Sequence, residues 1–312
     1  MVSLCIPTYN PDIVYLQELL ESIERQTWPN IEVLISDDNS SNFDDFAATL
    51  QNTRFRRTVV RANRRLGMAQ NWNEAARSAQ GDYLLVVGQD DLLQETGVAT
   101  LVEAAAHSGA GLVFGGQGHI GPEGQRVSNP SRSLTRNSVL PEKGMELSSA
   151  AVIALGLSFG NILGDPCSTL IRRDAFEDAT GFSPDFRHAA DLELWLRLAS
   201  AGVTAVSLST EVAFHRSHKA NATATHVSSG IAEIDRLGLH ERYGAWISDD
   251  KLWNRSVLRL YLHAAYDVIR YRIRPTAGYP RMRGGTHACL EAWLREVAEQ
   301  LRLTRPDLST LV

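Results

Sequence analysis

Over its first hundred residues the chain alternates short, near-continuously apolar runs with segments of helical periodicity, and no other feature restricts its fold as much. VSLCI (2–6), IEVLIS (31–36), RTVVRA (57–62) and DYLLVV (82–87) read as strands. Between them lie a helix with apolar Ile13, Leu16, Leu19, Leu20 and Ile23, a Phe43 to Leu50 helix, and a helix over 67–79. Strands apolar on both faces, separated by helices of about ten to fifteen residues, form a parallel sheet covered on both sides. The predicted class is α/β.

After Asp91 the pattern predicts a helix over Gly97 to His107, a strand GLVFG (111–115), and a polar, hairpin-like passage GQGHIGPEGQRV. Next come a strand CSTLIR (167–172), the helix DLELWLRLASAG (191–202), and two short strands at 203–207 and 211–215. Residues 216–229 are small and polar and read as a mobile loop. From Ile231 the chain reads as helical, over IAEIDRLGLHERYG, roughly 250–272, and LEAWLREVAEQLRL (290–303). The stretch 225–230 is the one division the sequence suggests.

Thirty-one Lys and Arg against 36 Asp and Glu give a net charge of −5, which argues against a nucleic-acid binder that gains affinity by neutralising phosphates. Cys5, Cys167 and Cys289 are far apart and lack Cys-x-x-Cys spacing, so neither a disulfide framework nor a thiolate zinc site is expected, and a reducing cytosol fits best. MVSLCIPTYN reads as strand and turn rather than as a leader. The longest apolar stretch, 149–164, is broken by Ser158, glycines and Asn161, and is too short to span about 30 Å of hydrocarbon.

Adjacent Asp90 and Asp91 directly follow an apolar strand, where ligands bind in an open α/β sheet. They suit Mg²⁺ or Mn²⁺ holding a diphosphate, or they are simply turn residues. Asp37 and Asp38 repeat the arrangement at the end of the second strand, where a helix entry or Asx turn is the plainer reading. Tyr9, in the turn PTYN, is a packing residue or a stacking platform for a base. Gly116, Gly118 and Gly121 spell G-x-G-x-x-G, but Pro122, Glu123 and Gly124 follow in place of a helix, so no dinucleotide site is expected there. A G-x-x-x-x-G-K-[ST] loop is also missing. Asp191 opens an amphipathic helix, as a first-turn acid or as a proton acceptor. His215, Arg216, His218 and Lys219 form a cationic cluster. If their loop folds over the crevice, His218 completes a metal site and Arg216 or Lys219 contacts a diphosphate.

In chain order, VSLCIPTYN, LISDDNSS, the set Asn63, Gly67, Asn71, Trp72 and Asn73, GDYLLVVGQDD, GFSPDF with ADLELWLRLASAG, and Arg216-x-His218 resemble family 2 glycosyltransferases of the GT-A fold. The resemblance covers about residues 1–220. It implies a Rossmann-like, mostly parallel central sheet with helices on both faces. Residues 1–225 would be the transferase domain, with 1–95 its nucleotide-binding half and 96–225 its acceptor and sugar half, and 226–312 a C-terminal helical region. Pro7, Thr8 and Tyr9 would line the nucleotide pocket, Asp38 would bond the nucleobase, usually uracil, and Asn63 to Gly67 would sit against the nucleoside. Asp90 and Asp91 match the ribose and metal carboxylates, Asp91 being the ligand to Mn²⁺ or Mg²⁺. Asp191 matches the catalytic base, and His218 a histidine that closes over the metal-diphosphate.

Gln89 stands where many members carry the first acid of an Asp-x-Asp motif, and Ala190 and Glu193 replace acids common around the base. No Gln-x-x-Arg-Trp motif follows Asp191. The expected activity is therefore non-processive, inverting transfer of a single sugar from a UDP-sugar, or a dTDP-sugar, to an acceptor hydroxyl on a saccharide, a lipid-linked molecule or a small molecule. One alternative is an inactive nucleotide-sugar-binding protein, favoured by Gln89 and opposed by Asp90, Asp91 and Asp191. Another is a sugar nucleotidylyltransferase, opposed by PTYNPD in place of a basic, glycine-rich loop. Arg270, Arg272, Arg274, Arg281 and Arg283, among Tyr271 and Tyr279, are a solvated bend or a docking strip for anionic lipid or a diphosphate-linked acceptor. A cytoplasmic protein is expected, with residues 270–283 as the candidate peripheral contact with the inner face of the membrane. The last helix packs on its neighbour or forms a homodimer.

Overall fold

The apolar runs of the first hundred residues become the parallel half of a nine-stranded sheet. The computed structural model describes residues 1–47, 54–128, 144–218, 231–248 and 255–256. The predicted helices over 250–272 and 290–303, the arginine-rich stretch 270–283, Cys289, Lys219 and the rest of the 216–229 loop, and the end of the 43–50 helix lie outside these residues.

β1 (Val2–Thr8), β2 (Ile31–Asp37), β3 (Arg56–Arg61) and β4 (Tyr83–Val86) alternate with α1 (Ile13–Glu24), α2 (Phe43–Ala47) and α3 (Met68–Arg77). A short β5 (Leu92–Leu93) and α4 (Gly97–Ser108) precede β6 (Leu112–Ile120) and β7 (Met145–Leu147). Then follow α5 (Ser149–Phe159), β8 (Thr169–Arg172), α6 (Arg173–Asp178), α7 (Ala190–Ser200), β9 (Ala205–Arg216) and α8 (Ile231–Tyr243). The sheet runs β3-β2-β1-β4-β8-β6-β9-β5, with β7 also paired to β9. β1 is flanked by β2 and β4, both parallel to it. The chain thus leaves β1 to one side and returns on the other, and that reversal opens a crevice at the carboxyl ends of these strands. Beyond β4 the sheet is mixed, because β8 runs antiparallel to both β4 and β6.

Each face of the sheet carries its own core. Leu16, Leu19 and Ile23 of α1 and Val98 and Leu101 of α4 pack on one side with Leu4, Ile6 and Val33. Trp195, Leu194 and Leu198 of α7 pack on the other with Phe114, Phe182 and Val152. On that second face an array of edge-on aromatic rings joins α3 to α7. Trp72 meets Phe182 at 4.9 Å between centroids, Phe182 meets Trp195 at 6.4 Å, and Trp195 meets Phe114 at 5.8 Å. Asn73 locks the first of these contacts, its amide donating to the Phe182 carbonyl and accepting from the Phe182 N–H, both at 2.8 Å.

One sequence expectation changes here. The two short strands expected at 203–207 and 211–215 are one strand, β9, starting at Ala205. Ser209 and Thr210, between the two expected strands, are exposed, and the irregularity is a register shift around Gly116 on the partner strand. The hairpin-like glycine passage is strand as far as Ile120, turns at Gly121–Gly124 and comes back antiparallel, pairing Arg126 with Ile120. A Cβ on Gly116 would lie 2.3 Å from the Ser209 carbonyl oxygen, and one on Gly118 would lie 2.5 Å from the Phe214 ring. These glycines admit β9 and form no phosphate loop.

Helix α8 is held by a buried charge. Glu193 of α7 is fully buried and accepts from Arg197 at 2.8 Å, from Arg242 at 3.3 Å and from the Tyr243 hydroxyl at 2.8 Å. Burial, with the Glu193 charge beside it, pushes the Tyr243 phenol well up from its ordinary range. Leu239 and Tyr243 join the α7 core. Replacing Glu193 with Ala leaves two guanidinium groups and a hydroxyl without their shared acceptor, and is expected to cost about 3 kcal/mol; urea unfolding reads it as a lower midpoint.

Candidate active site

Every expected site residue except Asn63 and Arg216 lines one cleft of about 1990 Å³ at the carboxyl edge of the sheet. One end is built on β1 and β2. Their register sets Thr8 beside Asp37. Asp37, fully buried, accepts from the Thr8 hydroxyl at 3.2 Å and from the Ser40 N–H at 2.9 Å, so it fastens the turn rather than facing the cleft. Asp38 follows, and its two oxygens accept from the Leu66 and Gly67 N–H groups while pairing with Arg65 at 2.7 Å. Gly67 adopts φ +89°, open to glycine at little cost, and leads into α3. Asp38 thereby orders the 65–67 segment, and Arg65 lies over the Tyr9 ring. Asn63 is exposed and outside the cleft.

Asn71, buried in the first turn of α3, donates to the Thr8 carbonyl at 3.2 Å and pairs with the Ser36 hydroxyl at 2.7 Å. The sequence N-W-N thus ties α3 to both strand ends and to the Phe182 loop.

The β4 end carries the carboxylates. Gln89 accepts from the Tyr9 N–H at 2.8 Å and donates to the Tyr9 carbonyl at 3.2 Å. A carboxylate could not make the second bond, so the amide at this position bridges two strand ends. Asp90 meets His218 Nε2 at 2.6 Å. Burial and the neighbouring Asp91 charge raise the Asp90 carboxyl, against the opposing pull of His218. Asp91 accepts from the Arg216 N–H at 3.1 Å and faces His215 Nδ1 at 3.3 Å. Burial pulls the His215 imidazolium down, but Asp91, Asp165 and Asp90 outweigh it and lift the group to about 9. His218 therefore reaches the carboxylate pair through Asp90, and His215 takes the place beside Asp91.

Arg216 does not face the cleft. Its side chain is fully buried and donates to the Asp90 carbonyl at 2.8 Å and the Pro122 carbonyl at 3.2 Å, pairs with Glu18, and stacks over Tyr15 at 4.4 Å. A guanidinium so engaged holds the aspartate turn in shape and lies off the cleft, not on the diphosphate side where the sequence reading put it.

Among the described residues no three His, Cys, Asp or Glu side chains form a ready-made metal cluster. The donor chemistry nevertheless fits a divalent cation. A Cβ on Gly88 would lie 2.8 Å from Asp91 Oδ2 and 3.2 Å from Asp90 Oδ1, so both carboxylates reach into the small space this glycine leaves open. Carboxylate oxygens with imidazoles nearby suit Mn²⁺ or Mg²⁺.

Asp191 lies in the first turn of α7 on the cleft wall. It accepts from the Asn161 amide and, at 2.7 Å, from the Leu192 N–H. Asn161, Gln117 and Asp165 were not singled out from the sequence. Gln117 donates to Asp165 at 2.8 Å, and the Asn161 amide also lies 3.5 Å from Asp165. The available signal was polar Asn161 and Asp165 interrupting an otherwise apolar run. Among the described residues no helix is long and apolar enough to cross a membrane.

The model of glycosyl transferase family 2 matches residues 3–179. An uncharacterized protein of Mycobacterium tuberculosis is 27% identical over 260 residues, which span 82% of this chain and 78% of that one. S. aureus TarS in complex with UDP-GlcNAc superposes with a TM-score of 0.60 at 17% identity, over 98% of this chain and 94% of that one. The mannosyltransferase PcManGT from Pyrobaculum calidifontis, in complex with GDP-Man and Mn²⁺, gives a TM-score of 0.60 at 18% identity, over 95% and 84%.

Proposed function

The chain belongs to glycosyl transferase family 2, and from that premise we propose that it moves a single sugar from a UDP-sugar to an acceptor hydroxyl with inversion at the anomeric carbon. The observation that carries the reading is that Asp38, Tyr9, the Asp90–Asp91 turn and Asp191 all line one cleft. The carboxylate pair is the place for a diphosphate, and Asp191 is the group to receive a proton.

In the proposed reaction Pro7, Thr8, Tyr9 and the 65–67 segment hold the nucleoside. Asp91 and Asp90, with His218 and His215 beside them, would hold Mn²⁺ or Mg²⁺. When bound, that cation supplies positive charge to the diphosphate as it leaves. On the other face of the sugar, Asp191 accepts the proton of the acceptor hydroxyl. The new bond joins the acceptor oxygen to the anomeric carbon, and the bond to phosphate breaks with its electron pair going to the nucleoside diphosphate. Carboxylates titrate near 4, far below alcohols, so the proton leaves as the oxygen attacks rather than before. One displacement inverts the configuration.

Gln89 no longer favours an inactive binding protein, since its amide is spent on Tyr9. The neighbours in complex with UDP-GlcNAc and with GDP-Man and Mn²⁺ support a nucleotide-sugar donor for this fold. A cytoplasmic setting, transfer of one sugar per encounter, and a separate role for residues 226–312 remain part of the proposal. Thermal stabilisation across a panel of UDP- and dTDP-sugars with Mn²⁺, followed by UDP release from the best donor, tests it. No stabilisation by any nucleotide-sugar would overturn it.

Gly88→Ala gives a sharper check. Its methyl group would press on the Asp91 and Asp90 carboxylates, which are side-chain ends able to turn away. Mn²⁺-dependent UDP affinity is expected to fall about tenfold or more with an unchanged circular dichroism spectrum.

A further inference from the structure

An α-helix leaves its first N–H groups without intrahelical acceptors, and a polar side chain at the N-cap ordinarily takes one. Helix α7 has Ala189 at that position and no side-chain cap of its own. Asp191 takes the Leu192 N–H itself, and Asp235 of α8 holds the chain entering the helix from across the fold. Its Oδ2 receives the His188 N–H at 2.6 Å and the Ala189 N–H at 3.0 Å. The residue is 4% exposed, so its charge lies at the positive end of α7, screened from water.

Asp191 is two residues beyond Ala189. The backbone path at 188–189 fixes where the first turn of α7 begins, and with it the direction of the Asp191 side chain, which Asn161 holds from the other side. Helix α8 also brings Arg236 and His240 to the cleft wall. Asp235 is thus placed to set the geometry of Asp191 without touching it.

We infer that Asp235 is a positioning residue for sugar transfer, acting through the 188–189 backbone to hold Asp191 against the acceptor. The inference rests on Asp191 being the base. A displacement of about 1 Å at a reacting group can cost 10²-fold in rate, and a shift of that order is what loss of the cap allows.

The test compares Asp235→Ala, Asp235→Asn, Tyr243→Phe and Asp191→Asn, read by UDP release from the donor that the sugar panel selects, by UDP affinity, and by Tm. Asp235→Ala is expected to lose about 10²-fold in kcat with donor KM and UDP affinity unchanged. Asp235→Asn keeps an oxygen that accepts both N–H groups and restores most of the kcat. Tyr243→Phe removes the bond to Glu193 and lowers Tm, yet leaves the cap intact, so its kcat stays at the wild-type level. If Asp235→Ala does not fold, Asp235→Glu moves the acceptor oxygen by one methylene and carries the same expectation. Wild-type kcat in Asp235→Ala or Asp235→Glu, or an equal kcat loss in Tyr243→Phe, overturns the inference. An inert Asp191→Asn beside a fully active Asp235→Ala overturns this inference alone. Undiminished turnover in Asp191→Asn overturns the base assignment and this inference with it.

Discussion

Asp191→Asn is expected to lower kcat by about 10²- to 10⁴-fold, the range general-base catalysis supplies, and to leave UDP affinity intact. The amide matches the carboxylate in shape and still presents an oxygen to the Leu192 N–H or the Asn161 amide. It cannot take a proton from an alcohol. Steady-state UDP release and UDP calorimetry on the same preparation separate the two effects. Full turnover in the variant removes the assignment.

Asp91→Ala is expected to lose about 10²-fold or more in Mn²⁺-dependent UDP affinity, since outer partners of metal ligands already account for 10- to 100-fold. Affinity measured without the metal changes little. The substitution also strips His215 of the neighbour that does most to raise it, so burial then pulls the imidazolium down from about 9. Proton NMR of the His215 ring follows that fall. If calorimetry of the wild-type protein gives the same UDP affinity with and without Mn²⁺, the metal role assigned to Asp91 is wrong.

What the sequence made legible follows from what each residue's neighbours are. The strands β1, β2 and β4 could be read because both faces are covered and apolar residues run without interruption. The carboxylates at the strand ends were visible because ligand sites in such sheets follow the strands directly. Arg216 was expected on a diphosphate because it enters a cationic, polar stretch, whereas its backbone is the end of β9 and its guanidinium is buried under Glu18, Tyr15 and the Asp90 carbonyl. The single strand β9 was hidden because a register shift on the partner leaves the same polar pair exposed as a turn would. Asn161 and Asp165 share one loop and left a faint local signal, but Gln117 reaches them from β6 and Asp235 holds the entry to a helix more than forty residues away, and neither of those pairings leaves a local pattern.

The edge-on rings of Trp72, Phe182, Trp195 and Phe114 have a consequence for selectivity. They join the helix beside the nucleoside end to the helix that carries Asp191, and the Asn73 bonds fix their spacing. Packed aromatics thus hold these two helices like the arms of a caliper. In the proposed reaction the arms would sort donors by how well the sugar bridges them, whatever the grip on the nucleotide.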